Sequence, residues 1–100
     1  MTTPMKRLKH TLTMQNLWIY VLAILSKHRI HAYGMSAEMK KRFGWSHGLI
    51  TTYVVLYKLE AEGLISSIYE ERRRYYSITP KGKKALAQAK EFLKKTANSL

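Results

Sequence analysis

The sequence contains no cysteine and no aspartate. Without cysteine there can be no disulfide, no thiolate metal site and no thiol nucleophile, and a cytoplasmic location becomes the default expectation. Without aspartate, only glutamate opposes the basic residues: six against eighteen lysines and arginines, for a formal charge of +12. Long apolar runs are missing as well. The longest, Leu17 to Leu25, falls far short of the roughly 20 residues that a membrane span requires, so no transmembrane helix is expected. The basic stretch Met1 to His10 is followed by polar Thr11, Thr13, Gln15 and Asn16. No small-residue cleavage site comes after the apolar run, which argues against a signal peptide.

One hundred residues make one domain with a modest core and exclude a large catalytic architecture. A chain this basic attracts polyanions over about a Debye length, so nucleic acid is the first expected partner and an anionic membrane the second. With no span available, the membrane reading is set aside.

Residues 1–12 carry Pro4 and show no sustained period; they read as a basic N-terminal arm that orders on meeting a partner. From Met14 to Lys27 the pattern is helical, with Thr13 as the expected cap. Leu17, Trp18, Tyr20, Val21, Leu22, Ala23, Ile24 and Leu25 cover nearly every face of that helix, so it must be buried all round, and a second subunit is expected to cover part of it. His28 to His31 is short enough for a turn or a brief strand. A second helix is expected over about Met35 to Arg42, with Met35 and Met39 inward, Lys40, Lys41 and Arg42 outward, and Gly44 as its stop.

The loop Trp45-Ser46-His47-Gly48 then opens a third helix. Ile50-Thr51-Thr52-Tyr53-Val54-Val55 has the β-branched composition of a strand. The longer pattern decides for a helix, because Leu49, Tyr53, Leu56 and Leu59 or Glu60 recur at three and four and Gly63 ends the run. Leu64 to Glu70 and Arg74 to Ile78 read as paired strands, joined by Glu71-Arg72-Arg73, which lacks the Asn-Gly or Gly-Gly of a tight turn. Thr79 caps a last helix that has Pro80 at its first position. Ala85, Leu86, Ala89, Phe92, Leu93 and Leu100 form an apolar seam along it among Lys83, Lys84, Lys90, Lys94 and Lys95, suited to packing on a partner helix.

The expected fold is therefore mainly α with a small β-hairpin wing. It comprises a winged helix-turn-helix over residues 13–79, preceded by the arm and followed by a C-terminal dimerisation helix over residues 80–100. The dimer surface is expected to use Leu17, Trp18 and Val21 from the first helix and Leu86, Ala89, Phe92 and Leu93 from the last.

In such a fold the third helix reads DNA, and its first turns would offer Ser46, His47, Thr51, Thr52 and Tyr53, with Lys58 further along. Hydroxyls and helix N-terminal amides suit phosphate, whereas Arg and Asn are the usual readers of base edges. This helix begins with neither, so backbone contacts and DNA shape are expected to outweigh base contacts. Lys40 and Lys41 add charge on the preceding helix. Arg72, Arg73 and Arg74, flanked by Tyr69, Tyr75 and Tyr76, resemble a wing, and strand alternation forbids all three from pointing one way. A solvated hairpin partly neutralised by Glu70 and Glu71 is the plainer alternative.

Other chemistry finds little support. His28 and His31 lie three apart but lack further ligands, so no metal is expected, and His31 reads as a packed or hydrogen-bonded histidine. Ser46-His47 has only adjacency in common with a nucleophile and its base. No acid, base and nucleophile converge, so no enzyme and no cofactor are expected. Trp18, Tyr20 and Trp45 are core or interface residues by default, though in a dimer they could line a cavity for a flat aromatic effector.

These residues resemble a known family. His31-Ala32-Tyr33 is similar to the His-Gly-Tyr of PadR-type transcriptional regulators, and Thr51 to Ile65 resembles their reader helix, in which Thr and Tyr stand two apart and Leu-Glu-x-x-Gly-Leu-Ile closes the run. Arg74 to Gly82 resembles the family's Arg-Lys-Tyr-Tyr-x-Leu-Thr-x-x-Gly, and coverage extends from about Leu17 to Leu93. The resemblance implies a homodimeric repressor of a palindromic operator, with dimer contacts from the first and last helices, phosphate contacts from Tyr33, Thr51 and Tyr53, and a wing contact from Arg74. The sequence departs from the family in two places: Gly48-Leu49-Ile50-Thr51 replaces Ser-Pro-Gly-Thr, and Val54 stands where the family has proline. A DNA-binding regulator is the leading expectation; an architectural chromatin protein with little sequence preference is the second, and an interaction module without nucleic acid the third.

Overall fold

The computed structural model describes residues 3–13 and 15–100, and the elements run α1 Pro4–Thr13, α2 Leu17–Leu25, α3 Ala32–Phe43, α4 Leu49–Ala61, β1 Ile65–Glu70, β2 Arg73–Ile78 and α5 Pro80–Ser99. This is the expected winged helix-turn-helix, with α3 and α4 as the helix pair and β1–β2 as the wing.

The arm differs from expectation, being helical from Pro4 to Thr13. Thr3 Oγ1 accepts the Lys6 amide hydrogen at 3.2 Å and Pro4 occupies the first turn, so a start signal was present without a long period to announce it. None of its residues is buried, and Met5, Leu8 and Leu12 form an exposed apolar stripe. Thr13 is the end of α1 and donates its hydroxyl to the Lys9 carbonyl, so it does not cap the next helix. Met14, the expected first residue of that helix, lies outside the described residues.

α2 is the spine. Leu17 and Val21 to Leu25 are buried, and α3, α4, α5 and β2 all pack on it. Met35 and Met39, one turn apart on α3, are fully buried against it, and Gly44 in the left-handed region ends α3 as expected. α4 turns Thr52, Leu56 and Leu59 inward. Thr52 is 1% exposed and donates to the Gly48 carbonyl, while Tyr53, which shared the expected inner face, is 46% exposed. The difference is one position on the helix. Burying Thr52 brings Leu56 and Leu59 into line behind it, and its hydroxyl finds a backbone acceptor in the preceding turn.

Two motifs explain how the chain leaves α4 and enters α5. Gly63, at φ 78°, lets the Leu64 amide reach the Leu59 carbonyl and its own amide reach the Glu60 carbonyl, while buried Leu59 and Leu64 flank the turn. This is a Schellman motif, and the left-handed position is the reason for glycine. Thr79 accepts the Gly82 amide hydrogen at 3.1 Å and donates to the Gly63 carbonyl at 2.7 Å, tying the two turns together. Gly82 answers a close approach: a Cβ there would stand 2.0 Å from the Leu64 carbonyl oxygen.

The strands pair antiparallel from Ile65 opposite Ile78 to Glu70 opposite Arg73. Arg73 is thus in the strand, and the tip is the two residues Glu71 and Arg72, at φ 50° and 67°. Both are left-handed, the signature of a type I′ hairpin turn made here without glycine or asparagine. Ile30 adds a one-residue bridge to Tyr76 with hydrogen bonds in both directions, which holds Arg29 and His31 against the wing. α5 buries only Gly82 and Leu86; residues 91–100 are exposed throughout.

Candidate nucleic-acid interface

The wing, the start of α3 and the outer side of α4 enclose a groove of about 530 Å³ lined by His31, Ala32, Tyr33, Tyr53, Tyr69, Tyr76 and the arginines 72 to 74. No acidic residue lines it. Strand alternation distributes the arginines as expected: Arg72 sits on the tip, while Arg73 and Arg74 belong to opposite faces of the hairpin. Arg74 Nη1 reaches Ser67 Oγ at 3.4 Å, and Ser67 in turn donates to Glu60 Oε2 at 2.7 Å, so a chain of polar contacts links the wing to α4.

Arg73 meets His31, which caps α3. His31 Nδ1 accepts the Gly34 amide hydrogen at 3.1 Å, and its Nε2 lies 2.8 Å from Arg73 Nη1. A neutral imidazole has one lone pair. With Nδ1 accepting, Nε2 carries the hydrogen and faces a second donor. Two donors converging at the positive end of a helix suit an anionic oxygen between them.

Behind this face, Arg29 donates to Glu70 Oε2 at 2.6 Å and stacks on Tyr75 at 4.8 Å from the ring centre. The hydrogen bond and charge of Arg29 hold the Glu70 carboxyl below its ordinary value, and Glu70 raises Arg29 in return. Glu70 stands opposite Arg73 in the register; its engagement by Arg29 limits how far it neutralises the groove. Burial pushes the Tyr76 phenol above its usual value, keeping it protonated at the groove's inner end.

Of the residues expected to touch DNA, the groove unites Tyr33, Tyr53, Arg72, Arg73 and Arg74. Ser46 and Thr51 are exposed near the start of α4 but do not line it. Lys40 and Lys41 are exposed at the far end of α3, and Lys58 borders a separate cleft with Leu17, Trp18 and Ala85. Two expectations are corrected. Thr52 belongs to the core, as described above. His47 is half-buried, packs on Trp45 at 5.2 Å, and has its Nε2 buried without a partner, so it is turned inward by the aromatic cluster rather than offered outward.

The expected dimer residues also divide. Leu17, Val21 and Leu86 are at most 5% exposed and are consumed by the chain's own core. Trp18, Ala89, Phe92 and Leu93 instead line an apolar groove of about 470 Å³ with Leu12 and Ile19. Tyr20 packs edge-on against Phe43 and Trp45, away from Trp18, so these three expected aromatics do not line one cavity in the single chain. Sequence reasoning missed Arg29, Glu60 and Ser67. Arg29 lies 41 residues from Glu70, and no local signal announces that pair.

The profile of the transcriptional regulator PadR-like family matches residues 21–88. No curated protein sequence matches the chain. Among solved structures, a transcriptional regulator from Clostridium thermocellum is 29% identical with a TM-score of 0.76, covering 82% of this chain and 86% of its own. A PadR family transcription regulator from Clostridium difficile is also 29% identical, at TM-score 0.71, covering 82% of this chain and 94% of its own. Bacillus subtilis PadR, solved in complex with operator DNA, is 26% identical at TM-score 0.68, over 72% of this chain and 45% of that longer one. Among the described residues no helix is long and apolar enough to cross a membrane. With the helix-turn-helix, the wing and a profile match over most of its length, the chain belongs to the PadR-like family of transcriptional regulators, a family of regulators and not of enzymes.

Proposed function

We propose that this regulator is a homodimeric repressor that binds a palindromic operator in double-stranded DNA through α4 and the basic wing. The observation that carries the reading is the groove itself: three arginines, the N-terminus of α3 and exposed tyrosines converge without a lining carboxylate. Arg73 and the His31 ring hydrogen would share one phosphate oxygen, Tyr33 and Tyr53 would reach its neighbours, and Arg72 at the tip would follow the backbone or minor groove. Thr51 and Ser46 would hold phosphates at the start of α4, with Lys40, Lys41 and Lys58 adding longer-range attraction. The operator-bound relative supports this reading.

Dimerisation rests on the apolar groove beside α5. Phe92 is 69% and Leu93 39% exposed, and the Met5, Leu8 and Leu12 stripe of α1 offers apolar surface near the same end through Leu12. In solution, a symmetric dimer is expected to prefer half-sites about one helical turn apart. If it neutralises about 6 to 10 phosphates, affinity falls on the order of a thousandfold between about 50 and 200 mM salt. Footprinting over genomic fragments with no protected palindrome would refute the repressor. A second reading, an architectural DNA-binding protein, draws on the absence of arginine, asparagine and glutamine from α4. Competition binding separates the two: a specific-to-random ratio near one supports the architectural protein, and about a thousand or more the repressor.

A further inference from the structure

The ridge of α4 that points away from the core is apolar. Ile50, Val54 and Tyr57, spaced four and three apart so that they share one face, are 82%, 47% and 76% exposed. Single exposed apolar side chains need no explanation, but three on one open helical ridge do. No other element of the chain covers them. The surroundings indicate what does. On one flank Tyr53 and the wing arginines form the cationic groove, and on the other stand Thr51 and Lys58. From Leu49 to Leu59 the helix carries no carboxylate. An apolar strip with cationic borders is complementary to a polyanion with apolar groups on a recessed floor, which describes the major groove of DNA. That groove admits an α-helix, and its one apolar base feature is the methyl group on C5 of thymine.

We infer that Ile50 and Val54 are specificity-determining residues that read pyrimidine C5-methyl groups in the major groove. The inference rests on the DNA-binding reading above and extends it, because it names the chemistry by which a helix without amide or guanidinium readers can still select sequence. Ile50 lies in the first turn of α4 and Val54 one turn later, so two methyl groups on neighbouring base pairs fall within their reach. Glu60, engaged by Ser67, and Glu62 confine the contact to the first part of the helix.

The test begins with fragments selected from random DNA by the wild-type protein, resynthesised with deoxyuridine at each thymine in turn. Loss of a contacted methyl weakens binding about fourfold, the ratio that corresponds to about 0.8 kcal/mol for a buried methyl-sized group. The Ile50→Ala/Val54→Ala variant binds the thymine fragment more weakly and no longer distinguishes it from the deoxyuridine one. Both positions are exposed, so an unchanged melting temperature verifies that the variant is folded. Replacing cytosine by 5-methylcytosine at the same strand positions of a weak site strengthens wild-type binding, which separates methyl recognition from other features of the A·T pair. Salt-dependent binding that is indifferent to every deoxyuridine substitution overturns this inference and leaves the DNA-binding reading intact. Absence of binding to any selected fragment overturns both.

Discussion

The groove beside the wing and the trough beside α5 are similar in volume, yet one is built from cations and phenols and the other from apolar side chains. In the groove the side chains project beyond the core: Tyr33, Arg72 and Arg73 are exposed, and their positions follow from the hairpin register and from the Ile30 bridge. In the trough, the seam predicted from periodicity is shared between two tasks. Leu86 is 5% exposed and completes the core, whereas Phe92, less than two turns later, is 69% exposed. Apolar periodicity identifies a sticky face without saying what it sticks to; a cluster of arginines with no lining acid leaves fewer choices.

Both surfaces depend on the junction between α4, the wing and α5, so the largest loss is expected there. Gly82→Ala would force a Cβ against the Leu64 carbonyl oxygen, and thermal unfolding is expected to show destabilisation on the order of 3–5 kcal/mol. A variant with the wild-type melting temperature would refute the rigid packing described for that turn.

Next comes a pair that separates the two tasks of α5. Leu86→Ala should cost about 2–5 kcal/mol of stability as a core truncation. Leu93→Glu should leave the melting temperature of the monomeric domain nearly unchanged and shift sedimentation toward a single chain. If Leu93→Glu remains fully dimeric, the trough is not the interface.

Smaller effects sharpen the groove. Replacing Glu71-Arg72 by Asn-Gly should relieve two left-handed non-glycine residues and stabilise the hairpin by about 1–2 kcal/mol in denaturant titrations, while weakening DNA binding through loss of the tip charge. The smallest expected effect is that of the Arg29–Glu70 pair. The folded Glu70 carboxyl sits below its ordinary value, so its contribution is present at neutral pH and disappears as pH falls through that lowered value. The stability gap between wild type and Glu70→Gln should therefore close on acidification; a gap that widened would reverse the assigned sign. Arg29→Ala should produce the same closing gap.

Much of this fold is legible in local chemistry. Gly63 with Leu59 and Leu64, and Thr79 with Pro80 and Gly82, mark the ends of α4 and the start of α5 because caps act over a few residues. The short α1 escaped because it buries nothing and so has no core-facing period to display. Thr52 and Tyr53 exchanged roles because either could be set on a helical stripe, and only the fit of Leu56 and Leu59 against α2 chooses between them. The candidate site was half visible. Its arginines and tyrosines stand out in the sequence, but Lys58 and His47 have the same chemical credentials and face elsewhere.

By itself the sequence determined the order of elements, the charge that calls for a polyanionic partner, and the turns where each helix stops, since capping, strand alternation and net charge are short-range or additive properties. Tertiary structure alone decided which face of α4 is open, that His31 and Arg73 point two donors at one space, and that Leu86 serves the chain's own core while Leu93 does not. Those choices depend on how distant segments pack, and burial is assigned by the whole fold rather than by any residue's own preference.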